Sequence, residues 1–318
     1  MATISIIMPV KNASLYLEAC LDSIQNQTCN DWELIAIDDH SDDSSKEIIE
    51  RRIERDSRIR CFKNDEVGII SALQMAISKT NGTYITRMDA DDMMPKNRLE
   101  LMLERIKEVP PKSVVTGLVK YVASEPISEG YLKYEHWLNN VNLTGTQWQN
   151  VYRECVIASP NWMIRKTELV EIGAFDDLSY PEDYDLVLRW YQNGFHINVI
   201  PEVTLNWREH PKRTSRTSAN YDQNSFFKLK IESFIKHDLN EGELVIWGKN
   251  VKGKLAAEIF NRHHIPFHWH DLKDYKSIQE IHNAKLLVAV YPPKQELAKI
   301  EKYLSETNLE QGRDWWFL

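Results

Sequence analysis

Glycine and proline are scarce in this sequence, with 11 and 12 among 318 residues, and there are only four cysteines. So little glycine and proline excludes a collagen-like or low-complexity chain. The four cysteines are Cys20, Cys29, Cys61 and Cys155, and their wide spacing fits neither a disulfide framework nor a metal site. We therefore expect reduced thiols in a cytoplasmic protein.

Long hydrophobic runs and an excess of basic charge are also missing. Apolar runs such as Leu286–Tyr291 are far shorter than the roughly 20 residues of a membrane-spanning helix. The first residues, Met1–Ser5, lack a basic region and a cleavage pattern, so no signal peptide is expected. The net charge is −8, which argues against a nucleic-acid partner and against binding to anionic lipid through a diffuse basic surface.

The excess of acidic charge has a definite location. Residues 241–318 carry 11 basic and 11 acidic side chains, so the whole excess lies in the first 240 residues. Ten of these acids form three clusters, which are Asp38, Asp39, Asp42 and Asp43, then Asp89, Asp91 and Asp92, then Glu182, Asp183 and Asp185.

The first 120 residues alternate short apolar runs with amphipathic segments, which predicts an α/β fold with a mostly parallel sheet. The predicted strands are Ile4–Val10, Trp32–Asp38, Ile59–Phe62 and Tyr84–Met88. Ser14 is predicted to cap the first helix. Ser44 and Glu47 are predicted to form a capping box at the second helix.

The rest of the chain suggests a second, smaller domain. Residues 220–236 have helical periodicity, and the strand–helix pattern resumes after residue 240. We predict a first domain over 1–219, a connecting helix over 220–240 and a Rossmann-like accessory domain over 241–318. The turn Gly248–Gly253 resembles a dinucleotide fingerprint, but Asn250 replaces its middle glycine. The accessory domain is therefore not expected to bind NAD, and an oxidoreductase function would rest on this turn alone.

Two of the acidic clusters follow predicted strands, and ligands in open α/β sheets bind beyond the carboxyl ends of the strands. One interpretation is that these aspartates form turns and cap helices. The other is that Asp89–Asp92, with its D-x-D pattern, binds a hard cation such as Mg²⁺ or Mn²⁺ together with substrate phosphates. The residues alone favour neither interpretation for a single cluster.

Several segments resemble those of family 2 glycosyltransferases. In family order they are Ile6–Asn12, Leu21–Thr28, Trp32–Asp39, Asn81–Asp92, Ile172–Asp176, Glu182–Leu186 and Asn206–Ser215. The resemblance implies the GT-A fold, in which helices flank a mostly parallel sheet, over about residues 3–215. It also implies transfer of a sugar from a nucleotide sugar with inversion of the anomeric carbon.

On the nucleotide side, the resemblance assigns five residues. Pro9, Val10 and Asn12 are expected to line the nucleotide pocket. Asp38, with Asp39, is expected to contact the base or the ribose. From the residues alone, Pro9 is better explained as a strand end and Asn12 as an entry cap to the next helix.

On the sugar side, the resemblance places Asp89 near the ribose and sugar and makes Asp91 the ligand of the divalent metal. Asp183 is expected to be the general base, and Glu182, beside it at a helix start, is expected to bind the donor. The alternative for this acidic pair is simple stabilisation of the helix N-terminus. Arg87 is expected either to reach the donor or to neutralise the neighbouring acids.

Three further residues complete the expected site. His210 resembles the family histidine that joins the metal or the diphosphate, and Arg213 is expected to clamp a phosphate. Trp162 is predicted either to stack on a sugar ring or to pack in the core. Tyr134, Trp137 and Trp148 lie in the variable stretch where acceptors are usually recognised, and the sequence does not rank them.

The sequence therefore predicts an inverting glycosyltransferase that depends on Mn²⁺ or Mg²⁺. The expected donor is a UDP-sugar carrying a hexose or N-acetylhexosamine. The expected acceptor is a hydroxyl of a glycan or lipid-linked saccharide in surface polysaccharide assembly. Peripheral association with the inner face of the membrane and a homo-oligomer are further expectations. The alternative is a nucleotide-sugar-binding protein without turnover, whose C-terminal domain is an interaction module.

Overall fold

The computed structural model of the chain describes residues 2–239, 242–271, 283–290 and 294–318. The chain divides into two compact units, Met1–Gly145 with Ile157–Thr217, and Thr146–Val156 with Ser218–Leu318. The predicted boundary at residues 240 and 241 falls outside the described residues. Within the described ranges, no helix combines the length and the apolar character needed to cross a membrane.

The first unit contains a seven-stranded sheet. Its strands are β1 (Ile4–Val10), β2 (Trp32–Asp38), β3 (Ile59–Lys63), β4 (Tyr84–Arg87), β5 (Ser113–Val122), β6 (Trp162–Arg165) and β7 (His196–Arg208). They lie in the order β3-β2-β1-β4-β6-β5-β7. β6 runs antiparallel to both of its neighbours, and the other pairings are parallel. The predicted α/β fold with a mostly parallel sheet is confirmed.

Eight helices accompany this sheet in the described residues of the first unit, and the longer ones pack apolar faces against it. They are α1 (Ser14–Gln25), α2 (Ser45–Ile53), α3 (Ile69–Lys79), α4 (Arg98–Glu108), α5 (Glu129–Thr144), α6 (Lys166–Glu171), α7 (Glu182–Gln192) and α8 (Thr214–Thr217). On α1 the predicted apolar stripe of Leu17, Leu21 and Ile24 is completely buried. β1 and β2 are almost continuously buried, as expected of parallel strands covered on both faces.

The two predicted helix caps are wrong, for one shared reason. Ser14 is the first residue of α1 and caps nothing, and the Ser44 side chain makes no capping hydrogen bond at α2. Instead, Asp43 accepts hydrogen bonds from the backbone N–H groups of both Ser14 and Ser45, each at 2.9 Å. Burial raises the pKa of Asp43, but hydrogen bonds from Ser45 and Ser14 outweigh it and lower the pKa to about 2. One carboxylate thus supports the starts of two helices.

The second unit has a sheet of four parallel strands. They are β8 (Glu243–Trp247), β9 (His268–His270), β10 (Ala284–Val288) and β11 (Trp315–Phe317), in the order β11-β10-β8-β9. Its helices are α9 (Gln223–His237), α10 (Val251–Arg262) and α11 (Lys294–Ser305). This parallel α/β architecture agrees with the predicted Rossmann-like accessory domain.

The turn between β8 and α10 is closed tightly on itself. Asn250 caps α10, because its Oδ1 accepts a hydrogen bond of 3.1 Å from the N–H of Gly253. The indole N–H of Trp269 donates to the carbonyl oxygen of Gly248 at 2.9 Å. A Cβ atom on Gly253 would lie only 1.9 Å from that same oxygen. The glycine is therefore required by the close approach of helix and turn.

A Gly253→Ala variant is expected to unfold more easily than the parent protein. The added methyl group forces a backbone shift, and overpacking of this kind costs about 3 kcal/mol. The control is Gly130→Ala on α5, where a Cβ atom would meet only Ser128 Oγ at 3.9 Å; this change should be neutral or stabilising by up to about 1 kcal/mol. Urea denaturation of both variants measures the difference. Equal stability of Gly253→Ala and the parent would contradict the prediction.

Candidate active site

Two of the three acidic clusters lie at one edge of the first sheet. β1 pairs in parallel with β2 on one side and with β4 on the other. The carboxyl ends of these three strands therefore face the same way, and Asp38 and the loop Asp89–Asp92 follow two of them. This is the edge at which open α/β sheets bind ligands.

Asp39 organises the ends of β1 and β2. Its Oδ1 accepts hydrogen bonds of 2.8 Å from both the Asn64 side chain and the Gly68 backbone N–H, and its Oδ2 lies 3.2 Å from Lys11 Nζ. Asp38 is also buried, and its Oδ1 accepts a hydrogen bond of 3.3 Å from the Ser41 N–H. Asp39 thus ties the ends of β1 and β2 to the loop before α3.

A backbone hydrogen bond joins the end of β1 to the residue that follows β2. Val10 is completely buried, and its carbonyl oxygen accepts a 2.7 Å hydrogen bond from the Asp39 N–H. Pro9, just before it, is half-buried. Asn12 is exposed, has a left-handed backbone with φ of 51°, and accepts a 2.9 Å hydrogen bond from the Asp42 N–H. Asn is among the few residues that adopt this conformation readily.

The loop after β4 concentrates negative charge. Asp92 is 2% exposed, and burial together with the charges of Asp91 and Asp89 raises its pKa well above the usual value. Burial also raises the pKa of Asp89, although Arg87 opposes the shift with a 2.7 Å ion pair. Carboxylates held this close repel one another, and a cation relieves the repulsion.

Asp91 meets His210 across this edge. The Nε2 atom of His210 lies 2.8 Å from Oδ2 of Asp91, although 119 residues separate them in the sequence. Burial raises the pKa of Asp91, but the hydrogen bond with His210 and the charge of Arg213 lower it below the usual value. Tyr16 on α1 packs its ring against His210, with centroids 4.3 Å apart. These contacts of Asp91 therefore favour its ionised form.

Arg208, the last residue of β7, forms hydrogen bonds that hold this strand end against the loop Asp89–Asp92. Its backbone N–H donates to Asp92 Oδ1 at 2.7 Å, and its Nε donates to the backbone oxygen of Asp91 at 2.6 Å. Met93 and Asn206 exchange two backbone hydrogen bonds beside it. These contacts bring His210, two residues further on, to the acidic loop.

Asp91 and His210 fit a divalent cation that takes only part of its ligands from the protein. The 2.8 Å between the two atoms is a hydrogen bond in this structure, and a carboxylate oxygen and an imidazole nitrogen are both common ligands of metal ions in proteins. The described residues contain no group of three or more His, Cys, Asp or Glu that could hold a metal ion. Mg²⁺ commonly completes such a shell with water and substrate phosphates.

The start of α7 is joined to the acidic loop through Arg87. This buried guanidinium donates from Nε to Asp89 at 2.7 Å and from Nη1 to Glu182 at 3.0 Å. Asp183 follows directly, and burial, reinforced by the charge of Glu182, raises its pKa to about 7. A carboxyl group with this pKa is suited to general-base catalysis at neutral pH.

Almost complete burial distinguishes three of the expected donor contacts, Arg87, Glu182 and Trp162. Arg87 and Glu182 are 3% and 2% exposed, which favours a role in holding Asp89 and Asp183 over direct contact with a donor. Trp162 is 2% exposed and packs edge-to-face on Trp190, with centroids 5.7 Å apart. This placement favours its predicted core role over stacking on a sugar. Arg213 lies at the site, with its guanidinium 4.9 Å from the ring centroid of Trp207.

Three residues that support the candidate site were not predicted from the sequence: Arg208, Tyr16 and Arg98. Arg98 is completely buried at the start of α4, where its Nη2 donates to the backbone oxygens of Arg87 and Pro160 at 3.2 and 2.5 Å. Burial lowers its pKa to about 10. The available signal was helical register, because Arg98 shares one face of α4 with the buried Met102. An arginine on an apolar face predicts a buried hydrogen-bonding role.

Comparisons with known proteins identify the family of this chain. The family model "Glycosyl transferase family 2" matches residues 5–173. The O-antigen biosynthesis glycosyltransferase WbnJ of Escherichia coli is 30% identical over 233 residues, which are 71% of this chain and 87% of WbnJ. EpsJ of Bacillus subtilis, an uncharacterized glycosyltransferase, is 25% identical over 65% of this chain. The chain spans only 61% of EpsJ and 32% of the E. coli chondroitin synthase.

The solved structures provide the same fold. The structure of residues 1–349 of S. aureus TarS in complex with UDP-GlcNAc superposes with a TM-score of 0.58. The match covers 83% of this chain and 72% of that one, at 18% identity. Together with the family match over more than half of the chain, this confirms the resemblance and the expected fold. The chain belongs to glycosyl transferase family 2.

Proposed function

We propose that the first unit transfers a sugar, with inversion, from a nucleoside-diphosphate sugar to a hydroxyl of a glycan or lipid-linked saccharide. The observation that carries this proposal is the 2.8 Å pairing of Asp91 with His210. On the same edge, the Arg87 bridge joins the acidic loop to the start of α7 and Asp183. We assign Asp91 and His210 as the cation site and Asp183, whose pKa is raised to about 7, as the base of the same site.

For the donor, we assign the nucleotide to the ends of β1 and β2. Asn12 is exposed there, and Asp38 and Asp39 lie behind it. Asp91 and His210 would hold Mg²⁺ or Mn²⁺, and the bound cation would neutralise charge on the diphosphate leaving group. Asp89 would face the ribose and sugar, held by Arg87, and Arg213 would contribute positive charge beside the phosphates.

For the transfer itself, we assign Asp183 as the general base that takes the proton of the acceptor hydroxyl. The acceptor oxygen bonds to the anomeric carbon as the bond from that carbon to the diphosphate breaks, and the hydroxyl proton passes to the Asp183 carboxylate. Attack opposite the leaving group inverts the anomeric carbon. The hydrogen bond of 2.8 Å from the Tyr184 N–H to Asp183 Oδ1 orients the carboxylate.

For the acceptor side, we favour Tyr134 and Trp137 on α5. Their rings stack with centroids 5.7 Å apart, and Tyr134 lies 6.3 Å from Trp207, on which Arg213 rests. Aromatic faces pack well against sugar rings.

The substrates are proposed from the relatives. UDP-GlcNAc is bound to TarS, and several relatives are named for polysaccharide synthesis, including the hyaluronan synthase of Pasteurella multocida. We therefore propose a UDP-hexose or UDP-N-acetylhexosamine as the donor and surface polysaccharide assembly as the process. We place the reaction in the cytoplasm at the inner face of the membrane, where a lipid-linked acceptor would be met.

A thermal-shift screen tests the donor class. We expect UDP or a UDP-sugar, with Mn²⁺, to raise the melting temperature more than GDP, CDP or ADP does. At a ligand concentration of 100 times Kd the gain is about 2.7 kcal/mol, or roughly 5 °C for a unit of this size. The same nucleotides with EDTA are the control. Absence of a shift with every nucleotide would contradict the proposed function.

A further inference from the structure

Two arginines in the segment after β7, Arg213 and Arg216, form ion pairs with the carboxylate of Glu209. Arg213 Nη1 lies 3.3 Å from Oε2 of Glu209, and Arg216 Nη2 lies 2.8 Å from Oε1. The Glu209 side chain is only 8% exposed, whereas Arg216 is 37% exposed. Each oxygen of one buried carboxylate thus holds a separate guanidinium.

Aromatic rings keep both arginines in place. The Arg213 guanidinium lies 4.9 Å from the ring centroid of Trp207, and that of Arg216 lies 5.0 Å from the ring of Tyr131. Arg216 Nε also donates to the Tyr131 hydroxyl at 2.9 Å. Contacts of this kind attract a guanidinium to the ring face. The rings therefore help to position both arginines, in addition to the ion pairs with Glu209.

This arginine pair borders the proposed diphosphate site. Glu209 directly precedes His210, whose Nε2 lies 2.8 Å from Asp91. The backbone N–H of Arg213 donates to the carbonyl oxygen of His210 at 3.3 Å. A diphosphate held beside Asp91 and His210 would lie next to the Arg213 guanidinium.

We propose that Glu209 occupies, in the donor-free protein, the place on Arg213 and Arg216 that a phosphate of the donor takes on binding. Carboxylates and phosphates offer arginine the same arrangement of acceptor oxygens. The diphosphate must therefore displace Glu209, and Glu209 limits the affinity for diphosphates. This inference rests on the proposed function, because it takes a diphosphate donor as the ligand of this edge.

The test measures binding of inorganic pyrophosphate and of UDP to Glu209→Gln by calorimetry in the presence of Mg²⁺. Glutamine keeps the shape and one acceptor oxygen but removes the competing charge. We expect both ligands to bind about fivefold more tightly, the range of a partly exposed ion pair. Asp177→Asn is the matched control, because it removes one carboxylate from another arginine, Arg189, and changes the net charge equally.

A double-mutant cycle separates competition from a general effect of charge. In a chain that also carries Arg213→Ala and Arg216→Ala, the Glu209→Gln substitution should give no gain in pyrophosphate affinity. A gain that persists there would overturn the proposal. If Glu209→Gln does not fold, Glu209→Asp serves instead, because the shorter side chain withdraws from both arginines, and a smaller gain is expected.

Comparing pyrophosphate with UDP distinguishes failure of the Glu209 proposal from failure of the proposed function. Unchanged or weaker pyrophosphate binding by a folded Glu209 variant overturns the role of Glu209. Tighter pyrophosphate binding, in a protein that binds no UDP or other nucleoside diphosphate, supports the role of Glu209 and rejects the nucleotide donor.

Discussion

An Asp91→Asn variant is expected to lose cation-dependent binding of the nucleotide sugar and to keep its fold. Asn preserves the shape and a hydrogen bond to His210, but it removes the charge that a divalent cation requires. His210 would then be the remaining protein ligand of the proposed pair. We expect the Mn²⁺-dependent part of the donor affinity to fall at least about 100-fold. Calorimetric titration of UDP-GlcNAc, with and without Mn²⁺, measures this difference.

The control for this experiment is Asp42→Asn, which removes an exposed carboxylate from the neighbouring acidic cluster. It should leave the donor affinity unchanged, because Asp42 contributes its backbone N–H to Asn12. Unaltered Mn²⁺-dependent binding by Asp91→Asn would remove Asp91 from the cation site.

An Asp183→Asn variant is expected to bind the donor normally and to lose transfer. General-base catalysis contributes about 10²–10⁴-fold to rate, so kcat should fall by this factor while the Kd of the donor stays the same. Single-turnover transfer from a UDP-sugar, beside a donor titration, measures the two quantities. Retention of more than a tenth of the parental kcat would identify another residue as the base.

The pH dependence follows from the same group. The pKa of Asp183 is raised from an ordinary 3.8 to about 7, and the base acts only when deprotonated. The rate of the parent protein should therefore be maximal above pH 7 and fall about tenfold for each unit below it. Asp183→Asn should lack this step.

Asp185→Asn is the matched control, because Asp185 lies in the same helix start but pairs with Arg189 at 2.6 Å. Loss of that i,i+4 pair costs about 0.5 kcal/mol, and transfer should remain. A parent protein that binds the donor but transfers no sugar to any saccharide acceptor would instead favour the alternative of a binding protein without turnover.

Much of the fold was predictable because its elements have strong periodicity. The runs that form β1 and β2 are apolar throughout, and Leu17, Leu21 and Ile24 mark one face of α1. The helix caps were not predictable, because Ser14 and Ser44 are locally good caps and the actual acceptor is Asp43. Its contact with the Ser14 N–H spans 29 residues, so no local pattern reveals it.

Burial decided the roles that the sequence left open. Trp162 and Arg87 each had two interpretations, a ligand contact or a structural role. Their exposures of 2% and 3% favour structural roles, since a donor cannot contact an inaccessible side chain. A one-dimensional pattern does not separate these cases, because both roles select the same residue types beside the same motif.

By itself, the sequence determined the order of strands and helices from β1 to α4, the family and the position of acids at strand ends. These properties depend on hydrophobic periodicity and on short motifs, which are local. Only the tertiary structure decided which acids act together. Asp91 meets His210 because β7 pairs with β5 and Asn206 bonds to Met93, contacts between segments more than 80 residues apart. Asp43, in contrast, is directed to two helix starts, although the sequence presents it in the same kind of acidic cluster.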